Sequence, residues 1–221
     1  MKEEELKKFI GYTASISVLI WIAINVFFQI ALLTFDSFQN LGTAVSIVSA
    51  FWLFYFRWGW KWIPFKYLFF KPDLNGTWIG SYETDGRNEK GQRVPIGEIS
   101  LTIRQNFLFI HITSFTDKYV AYSYAENLFL DTNRGIQKLV YLYSQNRVNP
   151  GAEGDRQGAT ELSIFGIPPF ELSGNFWTNA KSNGFLKIRR VSKKHISSFS
   201  EAKSQWPEKQ DWKAIKKSRR S

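Results

Sequence analysis

Two long stretches without a charged side chain open the sequence and constrain its fold more than any other feature. They run from Phe9 to Phe35 and from Ser37 to Phe56. A helix rises about 1.5 Å per residue, so about 20 residues cross a hydrocarbon layer about 30 Å thick. Each stretch reaches that length, and neither has a polar face for water. The sequence therefore predicts an α-helical hairpin in a membrane, with helices at about residues 11–35 and 41–62.

Two other interpretations of these stretches are weaker. A secretory signal peptide has an apolar core of only about 7 to 15 residues and a small-residue cleavage site, which the first stretch does not match. We therefore expect the first helix to be retained. A buried hairpin in a soluble domain is the second alternative, and the aromatic side chains of Trp21, Phe27 and Trp52, spread around the helices, disfavour it.

Three polar residues lie inside the apolar stretches: Asn25, Gln29 and Ser49. Hydrocarbon offers such groups no hydrogen-bonding partner, so they are candidates to bridge helices or subunits. The alternative is that they pair only with one another.

Cations lie before and after the predicted hairpin and are absent from its connecting turn. Three lysines precede the first helix, and four cations follow the second: Lys2, Lys7 and Lys8, then Arg57, Lys61, Lys66 and Lys71. The predicted connecting turn, Asp36 to Thr43, has none. Because cytoplasmic loops are enriched in Lys and Arg, both ends of the hairpin should be cytoplasmic. Residues 1–71 thus form a two-pass unit that includes an aromatic, Lys-rich interfacial segment.

Residues 72–192 change to a strand-like pattern. Apolar residues alternate with polar ones and are interrupted about every ten residues by Gly, Asn, Pro or Asp, which is typical of antiparallel sheets. We predict eight strands: Leu74–Glu83, Ile96–Gln105, Phe107–Phe115, Tyr119–Leu128, Ile136–Gln145, Gly158–Phe165, Phe170–Asn179 and Gly184–Val191. Eight short strands can close into one small barrel. The expected fold is an all-β, antiparallel, up-and-down barrel of lipocalin-like type.

An ordered set of motifs resembles one family. It comprises Leu74-Asn75-Gly76-Thr77-Trp78-Ile79-Gly80, Ile103-Arg104-Gln105, Ser123 with Ala125, Leu139 to Tyr143, Gly158-Ala159-Thr160, Leu172 to Thr178 and Gly184 to Val191. Following a helix hairpin, this set is similar to the two-transmembrane-helix β-barrel effectors of bacterial cyclic-oligonucleotide-based anti-phage signalling systems (CBASS), also called SMODS-associated two-helix β-barrel proteins. The resemblance covers roughly Gly11 to Val191.

The resemblance implies an anti-phage effector of the bacterial inner membrane. A partner cyclic-oligonucleotide synthase would make a cyclic dinucleotide, which the cytoplasmic barrel binds. The membrane helices would then form a homo-oligomer and disrupt the inner membrane, so that the infected cell stops growing or dies.

Residues at one rim of the predicted barrel suit such a ligand. Bases stack on aromatic faces, and phosphates favour Arg and hydroxyl or amide donors. We expect Tyr82 and Tyr143 to sandwich bases and Arg147 to pair with a phosphate. Ser123, Thr160 and Thr178 are candidates to read base edges or ribose hydroxyls. The alternatives are that the tyrosine rings pack the core and that Arg147 is a solvated loop cation.

Catalytic and metal-binding functions find little support in the composition. The chain has no cysteine and only two histidines, His111 and His195. Paired carboxylates fall in predicted turns and look solvated, so we expect no metal, no cofactor and no enzyme activity. Residues 193–221 carry nine Lys or Arg against three acids. We interpret them as a basic tail, either a lipid-binding amphipathic helix after Pro207 or a disordered segment, with no folded motif for nucleic acid.

A second function class stays open at this point. The same architecture fits a membrane-tethered, lipocalin-like carrier of lipid or another apolar metabolite. A purely structural anchor is a third possibility. The polar and aromatic rim favours the receptor, because a lipid carrier needs a wide apolar cavity.

Overall fold

A computed structural model of the chain describes residues 3–32, 34–65, 68–86, 95–131, 134–147 and 156–205. The described residues fall into two compact units. The first contains the chain up to Lys71 together with Asn106–Leu108, and the second contains the rest. We describe each unit in turn.

The first unit is a helical hairpin. Helix α1 spans Glu3–Phe27 and helix α2 spans Phe35–Arg57, followed by a short 3₁₀ helix at Gly59–Lys61. The predicted bounds, 11–35 and 41–62, were wrong for both helices. Gln29 adopts a left-handed φ of 57° just after α1, and the Thr34 side chain caps α2 by accepting a hydrogen bond from the Ser37 N–H. The connecting turn therefore precedes Asp36 instead of beginning there.

Helix α1 is the element that meets the length and composition of a membrane span. Within the described residues, Glu5–Phe27 is the single helical segment that is long and apolar enough by those criteria. Several of its apolar side chains are exposed in the structure, including Leu19, Val26 and Phe27. Exposed apolar surface on a helix of this length suits a lipid environment better than water.

Hydrogen bonds join the two helices at the end near the turn. The Trp21 Nε1–H donates to the Ser37 carbonyl at 2.7 Å, and the Asn40 amide donates to Asn25 Oδ1 at 3.1 Å. Asn25 is fully buried. Ser49 donates to the Val45 carbonyl of its own helix at 2.8 Å. Of the three predicted polar residues, Asn25 thus bridges α1 and α2 within one chain, Ser49 does not, and Gln29 is exposed in the turn.

Aromatic side chains form the core of the first unit. The buried members are Trp52, Tyr55, Trp60, Phe69 and Phe107. Phe107 stacks on Phe56 with ring centroids 5.4 Å apart, and its N–H donates to the Phe56 carbonyl at 3.0 Å. We predicted Phe107 as the first residue of the third strand, which was wrong. Its ring is 1% exposed because it packs in this cluster, and the strand begins three residues later.

The second unit is a closed barrel of eight antiparallel strands in sequence order, as predicted. The strands are β1 Gly76–Thr84, β2 Gly97–Gln105, β3 Ile110–Phe115, β4 Tyr119–Asp131, β5 Ile136–Arg147, β6 Arg156–Phe165, β7 Glu171–Thr178 and β8 Asn183–Ser192. Alternate residues fill the interior, among them Leu101, Leu139, Leu162 and Ile188, each 0% exposed. The outer face carries charge pairs such as Lys138 with Glu161 and Arg189 with Glu171.

One end of the barrel is closed by Trp78 and Arg190, which are register partners on β1 and β8. The Trp78 indole N–H donates to the Leu74 carbonyl at 2.9 Å. The Arg190 guanidinium lies 5.7 Å from the centroid of the Trp78 ring and donates to the Asp73 carbonyl at 3.0 Å. The cation–π contact and this hydrogen bond hold the two side chains together at this end, while the buried Arg190 Nε–H has no hydrogen-bond partner among the described residues.

The chain does not leave the barrel at the end of β8. The Thr77 hydroxyl donates to the Lys194 carbonyl at 2.7 Å, and the Thr102 hydroxyl donates to the Ile196 carbonyl at 3.0 Å. A short helix, α3 at Phe199–Ser204, follows. Residues 193–205, which the sequence assigned to a basic tail, thus pack on β1 and β2, and we call them the C-terminal strap. The predicted helix after Pro207 lies outside the described residues.

Candidate functional site

The candidate site is the rim of the barrel opposite the end closed by Trp78 and Arg190. We call it the mouth, and define it as the end where the odd-numbered strands finish and the even-numbered strands begin. The odd-numbered strands end there at Thr84, Phe115, Arg147 and Thr178, and the even-numbered strands begin there at Gly97, Tyr119, Arg156 and Asn183. The segments 87–94 and 148–155, each of which lies in the chain between two of these strand ends, are outside the described residues.

Four aromatic rings line the inner wall towards the mouth. Tyr82 contacts Phe176 edge to face with centroids 6.2 Å apart, and Tyr141 lies 6.0 Å from Tyr143. Tyr141 and Tyr143 are 4% and 9% exposed. The core below them is filled with aliphatic side chains, so these rings form the upper boundary of the packed interior. Tyr82 and Tyr143 were named as candidates from the sequence, whereas Tyr141 and Phe176 were not.

Burial and nearby charges shift the pKa values of the Tyr82 and Tyr143 phenols at the mouth. Burial raises the pKa of Tyr143 to about 12, and the positive charge of Arg156 opposes this rise. Burial also raises the pKa of Tyr82, with smaller contributions in the same direction from Asp117 and Tyr119 and an opposing one from Arg156. Both phenols are therefore neutral at physiological pH, and each offers one O–H donor and an acceptor oxygen. Arg156 is close enough to influence both.

The three predicted hydroxyl groups already have partners. Thr160 is 2% exposed, and its side chain hydrogen-bonds to the Tyr141 phenol. The Thr178 hydroxyl lies 2.7 Å from the Ser182 hydroxyl in the turn between β7 and β8. A ligand that contacts these hydroxyls must therefore share or replace these bonds.

Ser123 has a local structural role. It lies opposite Tyr143 in the β4–β5 pairing, just before a bulge in β4. Its hydroxyl accepts a hydrogen bond from the Ile112 N–H at 2.8 Å and donates to the Glu126 carboxylate. These bonds satisfy the β3 backbone at the point where the β3–β4 ladder stops, because the last paired residues there are Thr113 and Tyr122. Whether Ser123 also contacts a ligand stays a prediction.

Among the described cations at the mouth, Arg156 lies near the two tyrosines, and it is not the cation that we predicted. Arg147 ends β5, where its backbone pairs with Tyr119, and its side chain lies outside the described residues. Arg156 begins β6 opposite Gln145. We missed Arg156 because we began the sixth strand at Gly158. Extending the alternation backwards by two residues would have placed Arg156 on the inner face with Gly158 and Thr160.

Comparison with known proteins identifies the barrel. Residues 69–190 match the family described as "Cap15, cyclic dinucleotide receptor domain", and this segment is more than half of the chain. The chain belongs to this family. The match runs from just before β1 into β8, so the Cap15 domain contains every mouth residue described above. It confirms the resemblance to CBASS effectors that the ordered motifs indicated.

A curated relative agrees with the family match. The chain is 26% identical over 152 residues to "CD-NTase-associated protein 15" from Staphylococcus schleiferi, an alignment that covers 66% of this chain and 76% of the relative. That alignment is longer than the Cap15 domain segment. The likeness to this relative therefore extends beyond the segment matched by the family.

Proposed function

We propose that this protein is a CBASS effector whose barrel binds a cyclic dinucleotide at its mouth. The observation that carries the proposal is the convergence of Tyr82, Tyr143, Phe176 and Arg156 at one rim of a Cap15 domain. A cyclic dinucleotide has two flat bases and two phosphates, and this rim offers aromatic rings together with a cation.

Stacking provides the larger share of the affinity in this proposal. Base–aromatic stacking contributes about 1 to 3 kcal/mol per base, which corresponds to about 5- to 150-fold in affinity. Tyr143 presents a buried and Tyr82 a partly buried neutral phenol, and their hydroxyls can also bond to the ligand. The chain's net charge of +10 favours approach of a doubly negative ligand.

Arg156 is the described candidate for phosphate binding. Its positive charge opposes the rise in pKa of both Tyr82 and Tyr143, which agrees with a position near both proposed stacking residues. A guanidinium forms bidentate, charge-assisted bonds with phosphate. Arg147, at the end of the adjacent strand, stays a second candidate.

The packed interior disfavours the lipid-carrier alternative. Leu139, Leu162 and Leu172 are each 0% exposed and fill the described barrel below the tyrosine level. An acyl chain would have to displace this core, at a cost of several kcal/mol. A flat, polar ligand can instead bind above it.

The helical unit would supply the output. We propose that α1 and α2 cross the bacterial inner membrane as a two-pass hairpin, with the amino terminus and the barrel in the cytoplasm. Ligand made by a partner cyclic-oligonucleotide synthase would promote homo-oligomerisation of the hairpin, membrane disruption and arrest or death of the infected cell. The protein would act as a receptor and would release its ligand unchanged.

A calorimetric screen tests the binding step. Full-length protein in detergent micelles is titrated with a panel of cyclic dinucleotides and, separately, with fatty acids. We expect at least one cyclic dinucleotide to bind, and Tyr143→Ala and Arg156→Ala each to weaken it by about 5- to 150-fold. Lys138→Ala is the matched control, because Lys138 pairs with Glu161 on the outer face. Binding of fatty acids alone would reject the receptor.

Two further measurements test the output and the absence of turnover. In proteoliposomes loaded with a self-quenching dye, the ligand found by calorimetry should release dye from wild-type vesicles and not from vesicles with Tyr143→Ala. Chromatography of the recovered nucleotide should show it intact. Progressive conversion of the nucleotide by purified protein would contradict the assignment as a non-enzyme.

A further inference from the structure

Glycines face aromatic rings at the mouth of the barrel in three places. The strand registers pair Tyr82 with Gly97, Tyr143 with Gly158, and Phe176 with Gly184. Residues directly opposite each other in an antiparallel sheet point to the same face. Each ring therefore has, as its inward-facing neighbour on the adjoining strand, a residue with no side chain.

Each ring occupies the space that a side chain at its glycine would need. A Cβ added at Gly97 would lie 2.3 Å from Tyr82 Cζ, and one at Gly184 would lie 2.3 Å from Phe176 Cζ. A Cβ at Gly158 would lie 2.5 Å from the Tyr143 hydroxyl oxygen. Non-bonded carbons normally approach to about 3.5–4.0 Å. The rings thus lie across the neighbouring strand, along the barrel wall.

The strand order places the three rings around the opening. Tyr82 covers β1 and β2, Tyr143 covers β5 and β6, and Phe176 covers β7 and β8. In an eight-stranded barrel, neighbouring strands are about 45° apart around the axis. The walls under Tyr82 and Phe176 are then about 90° apart. Their ring planes are inclined by 75°, as expected for rings that lie nearly flat on those two walls.

The same count separates Tyr82 from Tyr143 by four strands, or about 180° around the barrel. Rings that lie flat on opposite walls present their faces to each other across the axis, and Phe176 borders the space between them on a third side. Both phenols also sense the charge of Arg156, in agreement with a shared opening. The strand order therefore places Tyr82 and Tyr143 on opposite walls, and we call the region between the three rings the slot.

We propose that Gly97, Gly158 and Gly184 are positioning residues, which hold the three rings flat so that the slot accepts a planar heteroaromatic base. The inference rests on the proposed function, since it specifies how the mouth recognises its nucleotide. Rings fixed before binding lose little side-chain entropy when the base stacks. A side chain at any of the three glycines would push its ring into the slot and narrow it.

Gly97 gives the cleanest test of the three. The nearest atoms to its added Cβ all belong to the Tyr82 side chain. A Cβ added at Gly158 or Gly184 would also lie close to a backbone oxygen, 2.6 Å from the Trp177 carbonyl or 2.2 Å from the Glu83 carbonyl. Gly97→Ala should therefore displace a ring while leaving the strand pairing in place. Gly42→Ala is the matched control, because an added Cβ there meets nothing within 4 Å.

The experiment is a double-mutant cycle on the full-length protein in detergent. Affinity for the cyclic dinucleotide found in the screen is measured for wild type, Gly97→Ala, Tyr82→Ala and the double variant. We expect Gly97→Ala to weaken binding at least about tenfold, within the stacking range, and Gly42→Ala to leave it unchanged. Because Gly97 acts through the ring, adding Gly97→Ala to Tyr82→Ala should cause no further loss.

Two outcomes would overturn the inference while leaving the proposed function intact. One is a wild-type affinity in Gly97→Ala, and the other is an equal, additive loss in the Tyr82→Ala background, which would indicate a general structural effect. A wild-type protein that binds no cyclic dinucleotide would overturn the proposed function itself. The glycine–ring contacts have a ligand-independent readout, since NMR ring-current shifts of the Gly97 protons should disappear in Tyr82→Ala.

Discussion

The C-terminal strap should contribute a large part of the barrel's stability. The strap buries Ile196 and Ala202 against Ile79 on β1, with exposures of 2%, 0% and 0%. Its Ile196 carbonyl also accepts the hydrogen bond of the buried Thr102 hydroxyl. A chain that ends after Lys194, two residues beyond the predicted barrel boundary at residue 192, lacks Ile196 and Ala202 and leaves the Thr102 hydroxyl without its acceptor.

The cost of that truncation follows from the contacts. Burying an isoleucine side chain contributes about 1.5 to 3 kcal/mol. Leaving a buried hydroxyl without its acceptor costs about 1 to 3 kcal/mol. Allowing for partial rehydration of Ile79 and Thr102, we expect a loss of about 3 to 5 kcal/mol, a large fraction of the roughly 5 to 15 kcal/mol typical of a folded domain.

Thermal unfolding followed by far-UV circular dichroism measures the effect. A chain that ends after Lys194 should melt about 10 °C lower than one that ends after Gln205, at about 2 to 4 °C per kcal/mol. Ile196→Ala should reproduce about half of the shift. Lys203→Ala, which removes only a surface ion pair with Glu98, should change little. Equal melting temperatures for the two truncations would refute the reasoning.

Three other outcomes are expected. Burial raises the pKa of Tyr143 from 10.0 to about 12, so the unfolded chain loses the phenol proton at a lower pH than the folded chain does. The contribution of this group to stability should therefore be complete below pH 10 and should fall between pH 10 and 12. Urea unfolding measures this fall, which should be smaller in Tyr143→Phe. Thr160→Val leaves the Tyr141 phenol without its partner, so it should cost about 1 to 3 kcal/mol of unfolding free energy but change ligand affinity less than Tyr143→Ala does. Asn25→Leu removes the acceptor of the Asn40 amide and should reduce ligand-dependent oligomers in membrane crosslinking, while an unchanged ladder of crosslinked species would contradict this.

The barrel was predictable because its interior follows the simplest rule for strands. In a strand, every second side chain points to the same face. Trp78, Leu101 and Leu162 lie at such inward-facing positions of their strands, and all three are fully buried. The rule fails where an apolar residue packs outside the barrel core. Phe107 belongs to the apolar run Phe107–Ile110 that leads into the third strand, yet the pattern cannot show that its ring joins the aromatic cluster of the helical unit.

The helix ends were mispredicted for a different reason. Asp36 interrupts the apolar stretches, so we placed the turn after it. In the structure Asp36 lies in the first turn of α2, where a carboxylate interacts favourably with the helix dipole, and Thr34 provides the cap. A charged residue between two apolar stretches thus marked a helix start instead of a loop.

The site was only half accessible from sequence. Tyr82 and Tyr143 follow from alternation and from sorting the strand ends. The pairing of these rings with Gly97 and Gly158 depends on the register between neighbouring strands. A shift of two residues keeps every side chain on the same face, so alternation alone does not determine the register, and the turns between the strands do. No pattern in one sequence distinguishes Gly97 and Gly158 from ordinary glycines next to a turn.

The existing hydrogen bonds of the polar groups at the mouth indicate which groups can discriminate between bases. Thr160, Thr178 and Ser123 are each engaged in a hydrogen bond within the barrel, so a base that contacts them gains little net energy over the bond it replaces. If the ligand binds as proposed, stacking would accept any flat base, and Arg156 would accept either phosphate. Discrimination between bases should therefore depend on the width of the slot and on the phenol hydroxyls of Tyr82 and Tyr143, which are the groups that can meet a base edge at the rim.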